Sequence, residues 1–184
     1  QLLGGIEMVV VIQMTLIVPV LPGITGFRAN TQEKTVNLLQ EFPVVIELPV
    51  QWGDQDALGH VNNVVFFRWW ESSRIAYAEQ IDLLGTDRDG QFGTVLASMA
   101  CDFRKQLVYP DTVLIGARIG RVGNSSIRIE HCLVSQKLNA VAAEAVSVMV
   151  SFDFENQTSC PISSDIRAAI RSLEPQRNVE GLDV

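Results

Sequence analysis

Residues 54–63 (DQDALGHVNN) hold the side chains of this chain that are best suited to chemistry. Asp54 and Asp56 are separated by one residue, and His60, one of two histidines, follows four positions later. A carboxylate can remove a proton from water or attack a carbonyl carbon directly. The spacing therefore makes Asp56 a candidate general base or nucleophile. The structural alternative is an aspartate that forms an Asx turn or caps the next helix.

The second component of this segment is the start of a helix. Asn62 and Asn63 precede a long apolar stretch, and Asn is a preferred N-cap because its side-chain oxygen accepts a free backbone N–H of the first turn. The unpaired N–H groups at a helix N-terminus stabilise negative charge. The sequence thus places an acid beside a group that can hold a developing oxyanion.

A long helix must position these residues. We expect it to end at Gly85 as a C′ residue, which gives about 22 residues or roughly 33 Å. One stripe has helical spacing and is predicted to be buried: Phe66, Trp69, Trp70, Ser73, Tyr77, Ile81 and Leu84. Val64, Val65 and Phe67 fill the other sides of its first half. A helix that is apolar all round is expected to be buried all round.

Alternating apolar residues after this helix predict four further strands. The faces predicted to be shared are Val95–Phe103, Val113–Ile119, Ile127–Leu133 and Val146–Phe154, with alternate residues in each range. An earlier strand alternates from Ile46 to Trp52, and Pro49 places it at an edge or bulge. A short helix is expected from Asp165 to Leu173. The fold class is therefore α+β, a curled antiparallel sheet of about five strands wrapped round one long central helix.

The two ends of the chain differ from this domain, which we place at residues 41–175. Residues 1–40 include an uncharged stretch from Met8 to Phe27 that is interrupted by proline and glycine. We expect a poorly ordered or non-native extension. The alternatives are an added strand or interface arm and, less in keeping with the interruptions, a membrane or targeting segment. Residues 176–184 form a polar tail that is expected to fray.

Composition narrows the function classes. The chain has 184 residues, 47% hydrophobic and 19% charged, and its net charge of −7 argues against a nucleic-acid partner. Cys101, Cys132 and Cys160 have no C-x-x-C spacing, so a reducing, cytoplasmic location is expected. Two histidines cannot build a three-histidine zinc site, and no metal or other cofactor is predicted.

Several segments together resemble the 4-hydroxybenzoyl-CoA thioesterase family, over about residues 43–173. They are DQDALGHVNN at 54–63, FFRWWESSR at 66–74, DFRKQLVYPDTV at 102–113 and RVGNSS at 121–126. The resemblance implies the hot-dog fold, hydrolysis of acyl-CoA to a carboxylic acid and CoA, and a homodimer or homotetramer. It implies that Asp56 is the catalytic aspartate, as base or nucleophile, and that a backbone N–H near Asn63 is the oxyanion donor.

With an acyl-CoA substrate in view, further residues become candidates. His60 could orient a water or contact the substrate, or be structural. Gly59 and Asn62 are candidates for substrate binding: Gly59 allows a tight turn or a close backbone approach, and Asn62 can cap the helix while its backbone N–H faces the substrate. Phe66 is a candidate for the acyl pocket. Arg104, Ser125 and Ser126 are candidates for CoA contacts, although solvated strand faces and turns explain them as well. By contrast, Asp54 is expected to bind the loop backbone, and His131 to be a core histidine.

Three other functions stay open on the sequence. A hot-dog protein can bind acyl-CoA without hydrolysing it, as a sensor or carrier. The same fold can carry another thioester reaction, such as hydration of an enoyl thioester. An interaction module without a small ligand is disfavoured by the polar motif at a buried helix end. The acyl group, and the choice between CoA and acyl carrier protein, are not specified by the sequence.

Overall fold

The architecture is one antiparallel sheet around a central helix, in a computed structural model that describes residues 38–84 and 91–183. The sheet order is β1-β3-β4-β5-β2, and the short β6 pairs with β5. The elements are β1 Val44–Val50, α1 Asn63–Gln80, β2 Phe92–Phe103, β3 Asp111–Val122, β4 Ser126–Ser135, β5 Ala140–Asp153, β6 Thr158–Ser159 and α2 Ser164–Leu173. The predicted α+β hot-dog arrangement is confirmed, and the two-residue β6 was not anticipated.

The core lies between α1 and the inner faces of β3 and β4. Both predicted faces are fully buried there, with Ile115 and Ile129 at 0% exposure. The α1 stripe meets them, and Trp70 and Tyr77 are also at 0%. Each large apolar side chain buried in this way contributes about 1.5–3 kcal/mol to stability.

The predicted boundaries and burial of α1 are partly wrong. The α-helical hydrogen bonding ends at Gln80, because Asp82 adopts a left-handed φ of 54° and Leu83 N–H returns to Ala78 O at 2.9 Å. Gly85 lies outside the described residues. Within a single protomer, Val64 is 60% exposed and Phe67 is 40% exposed, because both face away from the sheet. The helix is therefore buried on one stripe only.

The predicted shared face of β2 is interrupted. A bulge at Ala97 separates the pair Leu96–Met149 from the pair Ser98–Val148. Paired residues in an antiparallel sheet point to the same face. Met99, opposite the buried Ser147, therefore faces α1, whereas Val95, opposite Val150, points to the outer face of the sheet. The extra residue of a bulge reverses the alternation, and this is why a pure period of two fails here.

The first strand ends before Trp52. β1 stops at Val50, and Trp52 begins a 3-10 turn, Trp52–Asp54, in which it is 73% exposed. Its predicted place on the buried face of the strand is wrong. Pro49 does lie on an edge strand, as predicted, since β3 is the one pairing partner of β1 among the strands of residues 38–84 and 91–183.

Both ends of the described chain pack on the domain. Leu39, at 3% exposure, clusters with Leu114 and Cys132 on the outer face of the sheet. At the other end Val179 and Leu182 are buried, so the expectation of a fraying tail is wrong. These two apolar side chains join the core cluster at the C-terminal end of α1. No helix within the described ranges is long and apolar enough to cross a membrane.

Candidate active site

The loop between β1 and α1 is shaped by Asp54. Its Oδ2 accepts the Gln51 N–H at 2.8 Å, and its Oδ1 accepts Arg68 Nη2 at 3.3 Å. The Asp54 carbonyl accepts the Asn62 N–H at 2.9 Å. The loop-fixing role predicted for Asp54 is therefore confirmed, and its carboxylate is occupied by these contacts.

Asp56 lies in a separate tight turn of the same loop. Its Oδ1 accepts the Leu58 N–H at 2.8 Å, which makes an Asx turn. The Asp56 N–H donates to His60 O at 2.8 Å, and Gly59 N–H donates to Asp56 O at 3.0 Å. Gly59 has a φ of 77°, a conformation that favours glycine. These bonds fix the backbone of Asp56 and leave Oδ2 without a donor among the described residues.

The N-terminus of α1 provides an unpaired donor next to this turn. Asn62 caps the helix, because its Oδ1 accepts the Val64 N–H at 3.0 Å, while its carbonyl accepts the Val65 N–H at 2.9 Å. The Asn63 N–H has no acceptor among residues 38–84 and 91–183. Its position in the first turn adds the positive end of the helix dipole.

A pocket of about 390 Å³ joins these features. Five of the residues predicted for the site line it together: Asp56, His60, Asn63, Phe66 and Arg104. Gly59 and Asn62 do not line it but shape the loop and the helix start that do. Leu58, Val61, Phe103, Lys105, Gln106 and Leu107 complete the lining. The pocket therefore combines a carboxylate, an imidazole and cationic groups with an apolar wall.

Ser125 and Ser126 are not part of this pocket. They lie at the β3–β4 hairpin, where Ser126 pairs with Val150. Asp56 and Asn63 lie at the opposite end of α1, whose N-terminal half packs on Val113 and Leu133. Within one chain the structure does not bring the two serines to the candidate catalytic residues, which corrects their grouping with that site.

The wall opposite α1 is formed by residues 104–110. Leu107 is 1% exposed, and its carbonyl accepts the Val61 N–H at 2.8 Å. The Tyr109 N–H donates to Gln55 Oε1 at 2.9 Å. These two bonds join the wall to the Asp56 loop. No local pattern in the sequence indicates this pairing, because it is a contact between segments some 50 residues apart.

The two cations at the pocket differ in their partners. Arg104 is paired with Glu144, at 3.0 Å from Nη2, and with Asp102, at 3.5 Å. Lys105 donates its backbone N–H to Ala142 O at 3.0 Å, and no carboxylate pairs with its ammonium group in the described part of the chain. Lys105, the neighbour of the predicted Arg104, is therefore the cation more available to an anionic ligand.

Part of the pocket lining is aromatic. The Phe66 and Phe103 rings pack edge to face, with centroids 5.1 Å apart and planes at 90°. Phe66 is 3% exposed and also contacts Trp69 at 5.3 Å. Phe103, the last residue of β2, is 50% exposed. Phe103 was not predicted for the site, since nothing in the local pattern indicates which strand end meets the helix.

His131 lies in the core, as predicted. Its Nδ1 is 3.2 Å from Ser73 Oγ and its Nε2 is 2.9 Å from Ser147 Oγ. Burial, with a smaller contribution from the Arg74 charge, lowers the pKa of His131 to about 3. The ring is therefore neutral at ordinary pH, with both nitrogens engaged, and it does not reach the pocket.

A larger pocket, of about 630 Å³, lies between residues 40–43 and 173–177. Its charged groups are paired with one another: Arg118 with Glu41 at 2.7 Å and with Glu130 at 3.0 Å, and Arg177 with Glu174. These pairs use the charges that a ligand would need. The smaller pocket at the helix start is thus the better candidate site.

The curled antiparallel sheet around α1 places this chain in the class of hot-dog-fold proteins. The family model described as the thioesterase-like superfamily matches residues 50–170. This chain belongs to the thioesterase-like superfamily.

Two solved structures agree with that assignment, and one sequence relative is also similar. A thioesterase from Thermus thermophilus, solved with coenzyme A and zinc, is 36% identical, with a TM-score of 0.64 over 75% of this chain and 99% of that one. A gentisyl-coenzyme A thioesterase is 25% identical, with a TM-score of 0.61 over 69% and 99% of the two chains. The uncharacterised YsmA of Bacillus subtilis (strain 168) is 29% identical over 85 residues, 46% of this chain and 56% of that protein. The match thus spans little more than half of YsmA.

Proposed function

We propose that this chain hydrolyses acyl-CoA thioesters to a carboxylic acid and CoA at the pocket lined by Asp56 and Asn63. The observation that carries the proposal is the juxtaposition of one free carboxylate oxygen and one unpaired helix N–H at the same pocket. Thioester hydrolysis needs both groups, because a nucleophile must be generated and an oxyanion must be stabilised.

In the proposed reaction the thioester carbonyl oxygen accepts the Asn63 N–H. Asp56 then takes a proton from a water molecule whose oxygen attacks the carbonyl carbon. Alternatively, Asp56 attacks that carbon itself, and water hydrolyses the resulting anhydride. In both routes the oxyanion forms at the helix N-terminus, the C–S bond breaks and the thiolate of CoA leaves. His60, which lines the same pocket, is proposed to contact the substrate or the attacking water.

The similar proteins support the substrate class. The Thermus structure contains coenzyme A, and the gentisyl-coenzyme A thioesterase is named for an aromatic acyl-CoA. We carry over acyl-CoA as the substrate, and we propose membership of the 4-hydroxybenzoyl-CoA thioesterase family within the superfamily. Arg104 and Lys105 at the rim offer positive charge for the phosphates of CoA.

We also propose that the chain forms a homodimer or a larger homo-oligomer. The edge strand β2 carries exposed apolar residues such as Leu96, at 46%, and Val64 and Phe67 of α1 are exposed as well. A long apolar edge strand is a template for pairing with another strand. Three free cysteines, Cys101, Cys132 and Cys160, are in keeping with the cytoplasm as the proposed location.

The test is thiol release from a panel of acyl-CoAs by the wild type and by Asp56→Asn, a change that removes the charge and nearly preserves shape. We expect the variant to bind acyl-CoA and to lose about 10²–10⁴ in kcat. Asp165→Asn, an exposed aspartate on α2, is the matched control and should keep full activity. Binding without thiol release by the wild type would contradict hydrolysis and favour an acyl-CoA sensor or carrier.

Single-turnover hydrolysis in ¹⁸O-labelled water tests the route through the anhydride. Label in the Asp56 carboxylate, detected by mass spectrometry of the proteolysed enzyme, would establish attack by Asp56 followed by water attack at the aspartyl carbonyl. Label in the acid product alone is expected both for general-base catalysis and for water attack at the acyl carbonyl of the anhydride.

A further inference from the structure

The space between α1 and the edge strand β2 is built in three tiers, which we call the α1–β2 seam. The first tier is Phe66 with Phe103 and Ala143, the second is Trp70 with Cys101 and Ala145, and the third is Arg74 with Met99 and Ser147. Successive tiers are four residues apart on α1, a rise of about 6 Å, and two residues apart on β2, a rise of about 6.8 Å. The helix and strand residues of each tier therefore stay at matching heights.

The first tier adjoins the proposed reaction centre. Phe66 follows Asn63 by three residues, a rise of about 4.5 Å along the helix axis. An acyl group whose carbonyl binds the Asn63 N–H therefore meets the Phe66–Phe103 pair within one helical turn. Both rings line the pocket.

The second tier leaves no room behind this pair. Trp70 is 0% exposed and Ala145 is 4% exposed. The Cys101 thiol lies beside the Trp70 indole, although the indole N–H is not close or aligned enough to form a hydrogen bond with it. In the third tier the Arg74 guanidinium contacts Met99 Sδ at 3.9 Å and is 6% exposed. An alkyl chain passing the first tier would therefore meet a filled seam that ends in a buried cation.

We propose that Phe103, packed edge to face on Phe66, ends the acyl pocket and restricts the substrate to compact acyl groups, no longer than a butyryl or benzoyl group. The assignment rests on the proposed function, since it takes the helix N-terminus as the carbonyl site. Phe103 is the adjustable member of the pair, because half of it is exposed whereas Phe66 is almost fully buried.

The experiment varies ring size at position 103 and acyl length together. Wild type, Phe103→Ala and Phe103→Trp are assayed with acetyl-, butyryl-, benzoyl-, octanoyl- and palmitoyl-CoA. We expect wild type to prefer the compact acyl groups and Phe103→Ala to gain about tenfold or more in kcat/KM for octanoyl- over butyryl-CoA. Phe103→Trp should move the preference toward acetyl-CoA.

Two controls separate a pocket effect from a general one. Phe92→Ala removes an exposed phenylalanine from the other end of the same strand and should leave the length profile unchanged. Light scattering of every variant reports whether loss of the ring alters the oligomeric state. Phe66→Leu provides a second test, on the helix side of the pair. We expect it to shift the acyl-length preference in the same direction as Phe103→Ala.

Binding of the same acyl-CoAs to the Asp56→Asn protein, by calorimetry, distinguishes the two proposals. If this protein binds acyl-CoAs only up to a certain acyl length, and Phe103→Ala increases that length, the result would support the role of Phe103 even if the wild type released no thiol. The role of Phe103 is overturned if the wild type prefers octanoyl- or palmitoyl-CoA, if Phe103→Ala leaves the limit unchanged, or if no acyl-CoA binds; the last result also removes the proposed function.

Discussion

The Tyr77 hydroxyl donates a 2.6 Å hydrogen bond to Glu174, and this bond connects the central helix to the C-terminal end of α2. The same carboxylate oxygen accepts the Ile119 N–H at 2.7 Å, and the other accepts Arg177. Burial and the neighbouring Glu174 raise the pKa of Tyr77. A carboxylate that is 4% exposed thus joins α1, β3 and the chain end.

Removal of the Glu174 carboxylate should strongly lower the stability of the fold. We expect Glu174→Ala to lower the free energy of unfolding by about 3–5 kcal/mol, because Arg177 and the Ile119 N–H lose their buried partner. Tyr77→Phe removes one bond to a charged group and should cost about 1.5–3 kcal/mol. Urea denaturation measures both, with Tyr109→Phe, an exposed tyrosine, as control. Changes within about 0.5 kcal/mol of wild type, the range usual for surface substitutions, would contradict this account.

His131 should make stability depend on pH. Its folded pKa of about 3 is below its ordinary value of 6.5, so the unfolded chain binds the extra proton between these values. The contribution of neutral His131 to the free energy of unfolding is fully present above pH 6.5. It is lost as the pH falls toward 3, at about 1.4 kcal/mol per pH unit. We expect His131→Gln to have a flatter stability profile than wild type between about pH 6.5 and 5. Equal slopes in urea titrations at these pH values would refute the prediction.

Asp54 should act on the loop rather than on the substrate. We expect Asp54→Ala to lower stability by about 1 kcal/mol and kcat by much less than Asp56→Asn does, because only the loop loses its Gln51 and Arg68 contacts. Arg68→Ala, which removes one exposed pair, should cost about 0–1 kcal/mol. Thermal unfolding and steady-state kinetics check both. A loss of kcat equal to that of Asp56→Asn would make Asp54 a catalytic acid.

Lys105 should bind the CoA phosphates more strongly than Arg104 does. We expect Lys105→Ala to raise KM for acyl-CoA about tenfold with little change in kcat. Arg104→Ala should have a smaller effect, because Glu144 and Asp102 already neutralise its charge. Glu144→Gln should lower KM by releasing Arg104.

The control for this comparison is a thioester of N-acetylcysteamine, which lacks the nucleotide. Its KM should be insensitive to all three substitutions. If Lys105→Ala changed the KM of this short thioester as much as that of acyl-CoA, the lysine would be acting on the acyl site instead.

The proposed oligomer should depend on the exposed apolar residues of β2 and α1. We expect the double variant Leu96→Asp, Phe67→Asp to shift the mass measured by light scattering to that of one chain, since charges on both surfaces disfavour their burial. Far-ultraviolet circular dichroism verifies that the variant folds. A wild type that is monomeric at all concentrations would contradict the proposal.

Local features of this structure could be predicted from the sequence, and contacts between distant segments could not. The predicted cap Asn62 accepts the N–H two residues further along, and both partners of such a bond lie in the same short segment of sequence. The faces of β3 and β4 that meet α1 are the ones that a period of two predicts. In the same way Asp54 and Asp56 sit in turns that their own side chains help to close.

The features that were missed depend on packing. The bulge at Ala97 leaves no residue signature, yet it reverses the face of half of β2. Phe103 reaches the pocket only because this strand lies beside α1 at the far edge of the sheet. Arg104 is less available to a ligand because it pairs with Glu144, which is forty residues away in the chain. The candidate catalytic pair was therefore predictable, whereas the walls that select a substrate were not.

The two rims of the sheet are chemically unequal. β1 carries Pro49, which has no N–H to offer an incoming strand, while β2 runs for twelve residues with no proline. A strand from a second copy can thus add at one rim and meets an obstacle at the other. If two copies associate through β2, the edge strand without proline is paired in both of them. The same proline that marks an edge strand would then act as a stop against open-ended growth into fibres.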